Sequence, residues 1–482
     1  MRLHLIASKP TDSVTFGVLP AAARLGLDVI ILSDQPEAQK RALARSRSAP
    51  RPGPGLGAFA PPPRSRAGRP GPGGGAGWFS ANSAENRPEP AVDGASDAPS
   101  PLIVECDPWD PRALIARMAA LPAPDAVFSN SDHLQAQTAL AAAYFGLPGK
   151  DWRSALRARD KTLMRRWLAG TGAEHVAAAE ITASTRHPVR GLPYPVVLKP
   201  AEGVASEDVV LAAGPDDLAR HCGRILSRRP GERLIAEEYL AGPLRTLETI
   251  GDGVTTWVLG GFRTDVSAPP FFVEERLTWD PAAPPGAREH VLGALAGLGV
   301  SFGACHTEYV LVPGAGPRLI EVNDRLIGDH CDFLLTGLLG VDVFELALRV
   351  HLGQPLPPGA PPAPPSGRDH AVADYVVADH PGWLAASLAS GPHPAAEPGV
   401  ALAYWPMRRP GDRIALTHAN RDYLGVITAI GPGPAAVERS VVVLRRGNHW
   451  PVTPHPPADR ADTASPDGAV NAEGMVDAEA SA

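Results

Sequence analysis

One long stretch of this sequence, residues 42–100, cannot contribute to a folded core. It consists mostly of Pro, Gly, Ala, Ser and Arg, as the run 69–75 illustrates. Such a composition buries too little apolar surface to offset the conformational entropy that is lost on ordering. We therefore predict a disordered insertion in a surface loop. The alternative, a basic arm that binds nucleic acid, is disfavoured because aromatic residues for base stacking are nearly absent from the stretch.

The sequence on both sides of the insertion alternates short apolar runs with helical segments. Strands are expected at 3–7, 28–32, 102–104 and 125–129, and helices at 18–25, 113–121 and 134–145. This strand–helix–strand order is typical of a parallel sheet that is covered by helices. We therefore predict an N-terminal α/β domain that is formed by residues 1–41 and 101–150.

The remainder of the chain divides at proline-rich and polar segments. Residues 151–355 mix helices with strands, and a proline-rich linker at 356–369 follows them. Residues 370–454 alternate short β runs with Gly and Pro turns, which predicts a small β-rich C-terminal domain. The polar tail at 455–482 is expected to be disordered. A chain of 482 residues that divides in this way is a multidomain protein of mixed α/β and α+β class.

Charge, hydropathy and cysteine usage narrow the range of partners and locations. The formal net charge of -7 provides no positive field for nucleic acid or an anionic membrane, so small molecules or proteins are the expected partners. Runs of about 18 apolar residues, as a membrane span requires, are absent, and the apolar run near Met1 is too short for a signal peptide. No C-x-x-C pair occurs among Cys106, Cys222, Cys305 and Cys331, so neither a zinc ribbon nor a redox pair is indicated. A disulfide framework is not expected in a chain of this length, and a reducing cytoplasm is therefore the expected location.

The segment 306–323 has the pattern of a β-hairpin in which two strands flank a short Pro/Gly loop. Side chains alternate along a strand, so Glu321 and Asn323 share one face. If the strands pair directly across the loop, Glu308 lies opposite Glu321. The hairpin therefore places two carboxylates and one carboxamide on the same surface.

Two facing carboxylates favour a divalent cation between them. Like charges that lie opposite one another in a sheet repel, and Mg²⁺ typically takes one or two carboxylates together with nucleotide phosphates. Arg325 follows shortly after Asn323 and adds a cation to the same region. The alternative is a solvated strand face with polar residues, which explains Glu321 alone but not two acids, a carboxamide and an arginine together.

Two further strand ends carry residues that suit nucleotide binding. Lys199 ends an apolar run, and the loop 201–209 of mostly small residues can present backbone N–H groups to phosphate. The run 233–240 ends in Glu237-Glu238-Tyr239-Leu240 before a glycine, where backbone groups can meet an adenine edge. Taken alone, each feature is also explained by an ordinary surface lysine or an ordinary strand terminus.

The order of these motifs resembles the ATP-grasp ligase superfamily, over about residues 1–40 and 101–450. Its members have an N-terminal α/β domain and two lobes that clamp ATP. The resemblance implies ATP binding by Lys161, Lys199 and Ser206, adenine recognition at a hinge of Glu237, Tyr239 and Leu240, magnesium ligation by Glu308, Glu321 and Asn323, and binding of the substrate carboxylate or its developing charge by Arg325.

The chain departs from the family pattern in three places, one of which is the loop 201–208, less glycine-rich and more acidic than is usual in the family. The family usually has a Glu two residues after the glycine that follows the hinge, whereas Gly242 is followed here by Pro243 and Leu244. Glu248 lies nearby and becomes the candidate for the ribose contact. The family's Asn-Pro-Arg is Asn323-Asp324-Arg325 in this chain.

The resemblance implies a cytoplasmic carboxylate–amine ligase that uses ATP with Mg²⁺, or with Mn²⁺ in its place. The substrate carboxylate would be activated as an acyl phosphate, an amine would displace the phosphate, and ADP and phosphate would be released. The runs 260–264, 271–274 and 328–330 are most similar to ligases of siderophore or specialised-peptide biosynthesis. The implied partners are small carboxylates and amines, with no nucleic acid or membrane, and a homodimer is left open.

Three other functions stay open at this point. One is an ATP-grasp carboxylase that uses bicarbonate, although the sequence contains no biotin-type partner domain. The second is a ligase that forms a thioester or an ester. The third is a nucleotide-binding protein without catalysis, which the retention of Glu308, Glu321, Asn323 and Arg325 disfavours.

Overall fold

The computed structural model describes residues 1–46, 100–182 and 191–456. The predicted insertion lies outside the described residues except at its two ends. The predicted tail lies outside them from residue 457 onwards, so neither prediction of disorder is tested there.

The N-terminal domain contains a four-stranded sheet in the order β3-β2-β1-β4. Its strands are β1 (Arg2–Ile6), β2 (Asp28–Ser33), β3 (Leu102–Glu105) and β4 (Ala126–Phe128). A π-helical turn (Ser13–Val18) leads into α1 (Leu19–Arg24), and α2 (Pro36–Ser46), α3 (Pro111–Ala119) and α4 (Gln135–Tyr144) follow. All strand pairs are parallel, which confirms the predicted α/β domain. Residues 42–46, which the sequence assigned to the insertion, instead complete helix α2.

A first lobe is built on a four-stranded sheet in the order β5-β8-β6-β7. Its strands are β5 (Ala178–Ile181), β6 (Val196–Pro200), β7 (Val210–Ala212) and β8 (Leu234–Glu238). Helices α5 (Trp152–Arg159) and α6 (Lys161–Thr171) precede this sheet, and α7 (Pro215–Arg228) connects β7 to β8. The strand pairs are antiparallel.

A ten-stranded sheet forms the second lobe and continues into the C-terminal segment, in the order β14-β13-β9-β11-β12-β15-β20-β18-β17 with β10 paired to β9. The lobe contributes β9 (Leu244–Asp252), β10 (Thr256–Gly260), β11 (Phe262–Val266), β12 (Glu274–Trp279), β13 (Phe302–Val312) and β14 (Gly316–Asn323). The C-terminal segment contributes β15 (His370–Val377), β17 (Gly391–His393), β18 (Ala401–Pro406) and β20 (Tyr423–Gly431). The C-terminal segment is thus rich in strands, and the antiparallel pairing of β12 with β15 makes its main sheet continuous with that of the second lobe.

The remaining elements cover these sheets or extend them. The helices are α8 (Ala287–Leu298), α9 (Cys331–Leu339), α10 (Val343–His351) and α11 (Pro434–Arg446). A three-stranded sheet contains β16 (Gly382–Leu384), β19 (Arg413–Ile414) and β21 (Val452–Thr453). None of the helices in the described segments is both long enough and apolar enough to cross a membrane.

The N-terminal domain docks against the two helices that follow the hairpin. One apolar cluster contains Leu3 and Leu5 of β1 together with Phe344 and Leu348 of α10. The other face of β1 packs its side chains in a separate cluster with α3 and α4. The parallel sheet is therefore covered on both faces, and one of its covers comes from a distant part of the sequence. This docking places the carboxyl ends of β1 and β4 beside the second lobe.

The contact of Gly17 with Phe344 gives a test of this docking. A Cβ at residue 17 would lie 2.5 Å from the Phe344 ring, which is buried. Gly17→Ala should therefore overpack the interface and lower the free energy of unfolding by about 1–3 kcal/mol, measured by urea denaturation. Gly170→Ala is the matched control, because a Cβ there meets nothing within 4 Å on α6. Equal stability of the two variants would contradict the docking.

Candidate functional site

A large cleft, with a volume of about 1640 Å³, lies where the N-terminal domain, both lobes and the C-terminal segment meet. Side chains from all four parts line it. With the exception of Glu248, every site residue predicted from the sequence borders this cleft: Lys161, Lys199, Ser206, Glu237, Tyr239, Leu240, Glu308, Glu321, Asn323 and Arg325. The fold therefore brings together residues that are up to 164 positions apart, from Lys161 to Arg325.

The β13–β14 hairpin pairs the two predicted carboxylates. Glu308 lies opposite Glu321, and His306 lies opposite Asn323. The register shifts between Glu308 and Tyr309, as in a β-bulge, a feature that often re-aims side chains beside functional sites. The Glu308 and Glu321 side chains keep 17% and 18% of their surface exposed, and that surface borders the cleft.

Lys161 provides the cation next to this acidic pair. The Asp160 carboxylate caps α6 by accepting the backbone N–H groups of Thr162 and Leu163, so α6 begins at Lys161. From that position, Lys161 Nζ lies 2.9 Å from Glu321 Oε1. It also donates to the backbone oxygen of Gly203 at 2.9 Å, which ties the loop after β6 to the hairpin.

Lys199 is held by a buried ion-pair network at the end of the first lobe. Its Nζ lies 2.6 Å from Glu237 Oε2, and Arg165 Nε donates to Glu237 Oε1 at 2.8 Å. Burial opposes ionisation of Glu237, but Arg165 and Lys199 lower its pKa to about 2. The Glu237 carboxylate is therefore occupied by two cations, and its part in the hinge is to position Lys199.

Glu248 does not border the cleft, which corrects its predicted role as a ribose ligand. It is 3% exposed on β9, and its Oε1 accepts a hydrogen bond from His306 Nδ1 at 2.8 Å. His306 Nε2 lies 3.4 Å from Glu308 Oε1 on its other side. Burial disfavours the charged imidazole, but the two carboxylates raise the pKa of His306 to about 10. Glu248 thus helps to keep His306 charged beside Glu308.

Glu274 is a further carboxylate in the cleft, to which the sequence analysis assigned no chemical role of its own. Burial and then the charge of Glu308 raise the pKa of Glu274 to about 8. Asn420, from the C-terminal segment, donates from Nδ2 to Glu274 Oε2 at 3.1 Å. Asp329 lines the same region, and burial raises its pKa as well. Glu274 begins β12 and ends the run 271–274, which the sequence analysis had compared with ligases as a whole and not residue by residue.

Arg325 lies where the N-terminal domain meets the cleft. Its Nη1 donates to the Leu326 oxygen at 2.8 Å, and its Nε lies 3.7 Å from Asp132 Oδ1. Arg159 Nη1 donates to the other Asp132 oxygen at 3.2 Å. Burial opposes ionisation of Asp132, but the two guanidinium groups lower its pKa. The Arg325 guanidinium is thus oriented by a carboxylate and a carbonyl oxygen.

The loop 201–208 closes over the cleft with help from the C-terminal segment. Ala205, Ser206 and Asp208 all have a positive φ, a conformation that costs about 1–3 kcal/mol per residue unless neighbours enforce it. Ser206 Oγ donates to the Phe272 oxygen at 2.8 Å. The Asn420 N–H donates to the Ala205 oxygen at 3.0 Å. Contacts from other parts of the chain therefore hold the loop in this shape.

The comparison with known sequences gives one distant relative. No family model matches the chain. The uncharacterized protein y4rH of Sinorhizobium fredii (strain NBRC 101917 / NGR234) is 27% identical over 323 residues, which are 64% of this chain and 64% of that protein. The match therefore spans less than two thirds of the length of this relative.

Solved structures are similar over nearly the whole chain. An L-amino acid ligase from Bacillus licheniformis aligns with a TM-score of 0.63 at 19% identity, covering 94% of this chain and 98% of that one. This chain has the ATP-grasp fold. The phosphoribosylglycinamide synthetase of Anaerococcus prevotii (TM-score 0.60, 13% identity, 94% and 99% covered) is also similar. The same holds for the biotin carboxylase domain of the Hydrogenobacter thermophilus 2-oxoglutarate carboxylase (TM-score 0.61, 14% identity, 94% and 90% covered). The two lobes therefore correspond to the two lobes of that fold.

Glu237→Gln tests the buried network of the first ATP-grasp lobe. The substitution leaves Lys199 without a counter-charge and Arg165 with Glu174 as its remaining carboxylate partner, so the free energy of unfolding at pH 7 should fall by about 3–5 kcal/mol. Because the pKa of Glu237 is about 2 when folded and 4.5 ordinarily, the wild-type advantage is complete above pH 4.5. It should shrink as the pH falls from 4.5 towards 2.

The matched control for this experiment is Glu238→Gln. Glu238 is partly exposed and its Oε1 accepts only the Ala177 N–H, at 3.1 Å, which a glutamine oxygen can also accept. It should lose less than about 1 kcal/mol in urea denaturation. If both substitutions cost the same, Glu237 does not hold the network together.

Proposed function

We propose that this chain is an ATP-dependent ligase that uses Mg²⁺ to join a carboxylate to an amine through an acyl phosphate, releasing ADP and phosphate. The observation that carries the proposal is the facing pair of Glu308 and Glu321, which meets Lys161, Lys199 and Arg325 in one cleft. Such a set suits phosphoryl transfer, because the charge on the phosphate oxygens needs both cations and metal ligands. The likeness to solved ligase, synthetase and carboxylase structures supports the same class.

The nucleotide would lie between the two lobes. The segment Glu238–Leu240 borders the cleft, so its backbone groups are placed to meet an adenine edge. Lys161 and Lys199, both less than 6% exposed, would neutralise phosphate oxygens. The loop 201–208 with Ser206 would cover the phosphates and keep water from the reacting group.

The donor set of the hairpin fits a hard divalent cation. Glu308 and Glu321 each keep a partly exposed carboxylate towards the cleft, and Asn323 on the same hairpin adds a neutral oxygen. The described residues contain no group of three His, Cys, Asp or Glu that could hold a metal by themselves. A two-carboxylate site of this kind matches Mg²⁺, or Mn²⁺ in its place, because phosphate oxygens complete its shell. When bound, the ion neutralises charge on the transferred phosphoryl group.

Arg325 would act on the substrate carboxylate. Its planar guanidinium can bind two carboxylate oxygens at once and then stabilise the oxyanion that forms when the amine attacks the acyl phosphate. The Asp132 carboxylate, at 3.7 Å, keeps the guanidinium turned towards the N-terminal side of the cleft.

The amine would enter beside Glu274 and Asp329. Both carboxyl groups line the cleft, and burial raises the pKa of each, so the ionised form of either would be a stronger base than an ordinary carboxylate for taking a proton from an ammonium group. A substrate with an amino group, such as the amino acids named for the Bacillus licheniformis ligase, suits this arrangement. We propose a product of the siderophore or specialised-peptide kind. The four cysteines are free and buried, which supports a reducing cytoplasm as the location.

Product analysis tests the reaction class. Incubation with ATP, Mg²⁺ and a panel of amino acids and polycarboxylates should release ADP and phosphate, and hydroxylamine should trap the acyl phosphate as a hydroxamate. Glu321→Ala should abolish both signals, because one of the two carboxylates that bind the ion is lost. Glu289→Ala, on the exposed face of α8 outside the cleft, is the matched control and should keep full activity.

Three outcomes would contradict the proposal. Pyrophosphate as the main product would show that the substrate attacks the α-phosphorus of ATP and not the γ-phosphorus. ADP release that depends on bicarbonate alone would favour the carboxylase. Failure of every acid to stimulate ATP hydrolysis would favour a nucleotide-binding protein without catalysis.

The corrected position of Glu248 predicts that it makes no contact with the ribose. Glu248→Gln should leave the ratio of the Kd values for ATP and 2′-deoxy-ATP at the wild-type value, measured by calorimetry, because the residue does not border the cleft. Turnover should fall, since the pKa of His306 is no longer raised by the Glu248 charge. A ratio that moves towards one would restore the ribose assignment.

A further inference from the structure

A buried ion pair outside the proposed machinery links the end of the N-terminal domain to the hairpin. Lys150 Nζ lies 2.7 Å from Asp324 Oδ1, and the two side chains are 6% and 3% exposed. The same Nζ also donates to the backbone oxygen of Asp324 and, at 3.4 Å, to that of Ala304. One ammonium group therefore binds both the side chain and the main chain of Asp324.

The Lys150 side chain is closely packed against Gly303 and lies near His351. A Cβ at Gly303, which has φ +76°, would lie 2.8 Å from Lys150 Cε and 3.3 Å from His351 Nε2. Burial, followed by the charge of Lys150, lowers the pKa of His351 to about 3, so the imidazole beside the lysine is neutral. The counter-charge of Lys150 is therefore the Asp324 carboxylate. The lysine side chain passes so close to Gly303 that a Cβ at residue 303 would collide with it.

Asp324 is the centre of a tight turn between two proposed site residues. The Arg325 N–H donates to the Asn323 oxygen at 2.8 Å, which closes a three-residue turn around Asp324. Asp324 has a negative φ, so the turn is of the inverse γ type, with a central φ of about −75°. Since that value lies within the range that proline enforces, a proline would fit the same backbone. Among the hydrogen bonds of the described residues, the Asp324 N–H donates none.

We propose that Lys150 and Asp324 form a pin that fixes the turn between Asn323 and Arg325 and so positions the Arg325 guanidinium for its substrate. Both are positioning residues, because neither borders the cleft. The pin rests on the proposed function, since it acts through Arg325. The buried charge pair stabilises the conformation of the turn. A proline at residue 324 would stabilise the same conformation through its ring, which fixes φ.

The experiment compares Lys150→Met with the double variant Lys150→Met/Asp324→Pro. Lys40→Met, on the exposed surface of α2, is the matched control. Where Lys150→Met alone does not fold, Lys150→Met/Asp324→Asn replaces it, because removing both charges avoids an unpaired buried carboxylate. Three quantities are measured: amide hydrogen exchange in a peptide that contains Arg325, the Kd for ADP with Mg²⁺, and kcat with KM for the acid.

We expect Lys150→Met to speed exchange at the Arg325 amide and to lower kcat by about tenfold or more, because a small misplacement of a catalytic group is costly. The Kd for ADP should change by less than about threefold, since the lysines that meet the phosphates are untouched. Adding Asp324→Pro should slow the exchange again and restore most of kcat. Lys40→Met should behave as the wild type.

The proposal would be overturned if Lys150→Met left both the exchange at Arg325 and kcat unchanged. It would also be overturned if Lys150→Met/Asp324→Pro restored neither the slow exchange nor kcat. If Lys40→Met lost as much exchange protection and kcat as Lys150→Met, the losses would not depend on the Lys150–Asp324 pair. If the wild type releases no ADP with any acid and amine, the proposed ligase function fails. The exchange at Arg325 still decides the pin in that case, because this measurement needs no turnover.

Discussion

Two carboxylates on neighbouring strands, Glu308 and Glu321, govern the electrostatics of the whole cleft. Strand pairing holds them opposite one another, so their repulsion has to be offset by groups from elsewhere in the fold. Lys161 approaches one carboxylate from the start of α6, and charged His306 approaches the other from β13. Burial, followed by the charge of Glu308, raises the pKa of Glu274 to about 8. The acidic pair thus explains why cations and a protonated acid surround it.

The parts of the site that local sequence patterns determine were predictable. Side-chain alternation along two strands was enough to place Glu321 and Asn323 on one face and Glu308 opposite, although the bulge after Glu308 was not foreseen. Apolar strands that alternate with helices gave the parallel N-terminal sheet for the same reason, since each element follows from its own periodicity. The end of α2 was misjudged because alanine and arginine continue a helix as readily as they begin a loop.

The parts that depend on contacts between distant segments were not predictable. Glu248 was assigned to the ribose because it lies near the hinge in sequence, yet β9 pairs with β13 and turns the side chain to His306. Glu274 gains its unusual pKa first from burial and then from Glu308, which lies on another strand. Lys150 is 174 positions away from Asp324, and no pattern within either segment indicates the other. Such pairs are set by tertiary packing, which a single sequence does not display.

The continuous ten-stranded sheet has a mechanical consequence. Because β12 and β15 share a ladder, the second lobe and the C-terminal segment behave as one rigid plate as long as that ladder is intact. Along the chain, the four-stranded sheet of the first lobe continues into this plate through the short segment 239–243, between β8 and β9. Arg421 Nη2 lies 2.8 Å from Glu207 Oε2, and the Asn420 N–H donates to the Ala205 oxygen. A movement of the first lobe away from the plate would have to break both contacts. The C-terminal segment thus forms the surface on which the loop 201–208 rests.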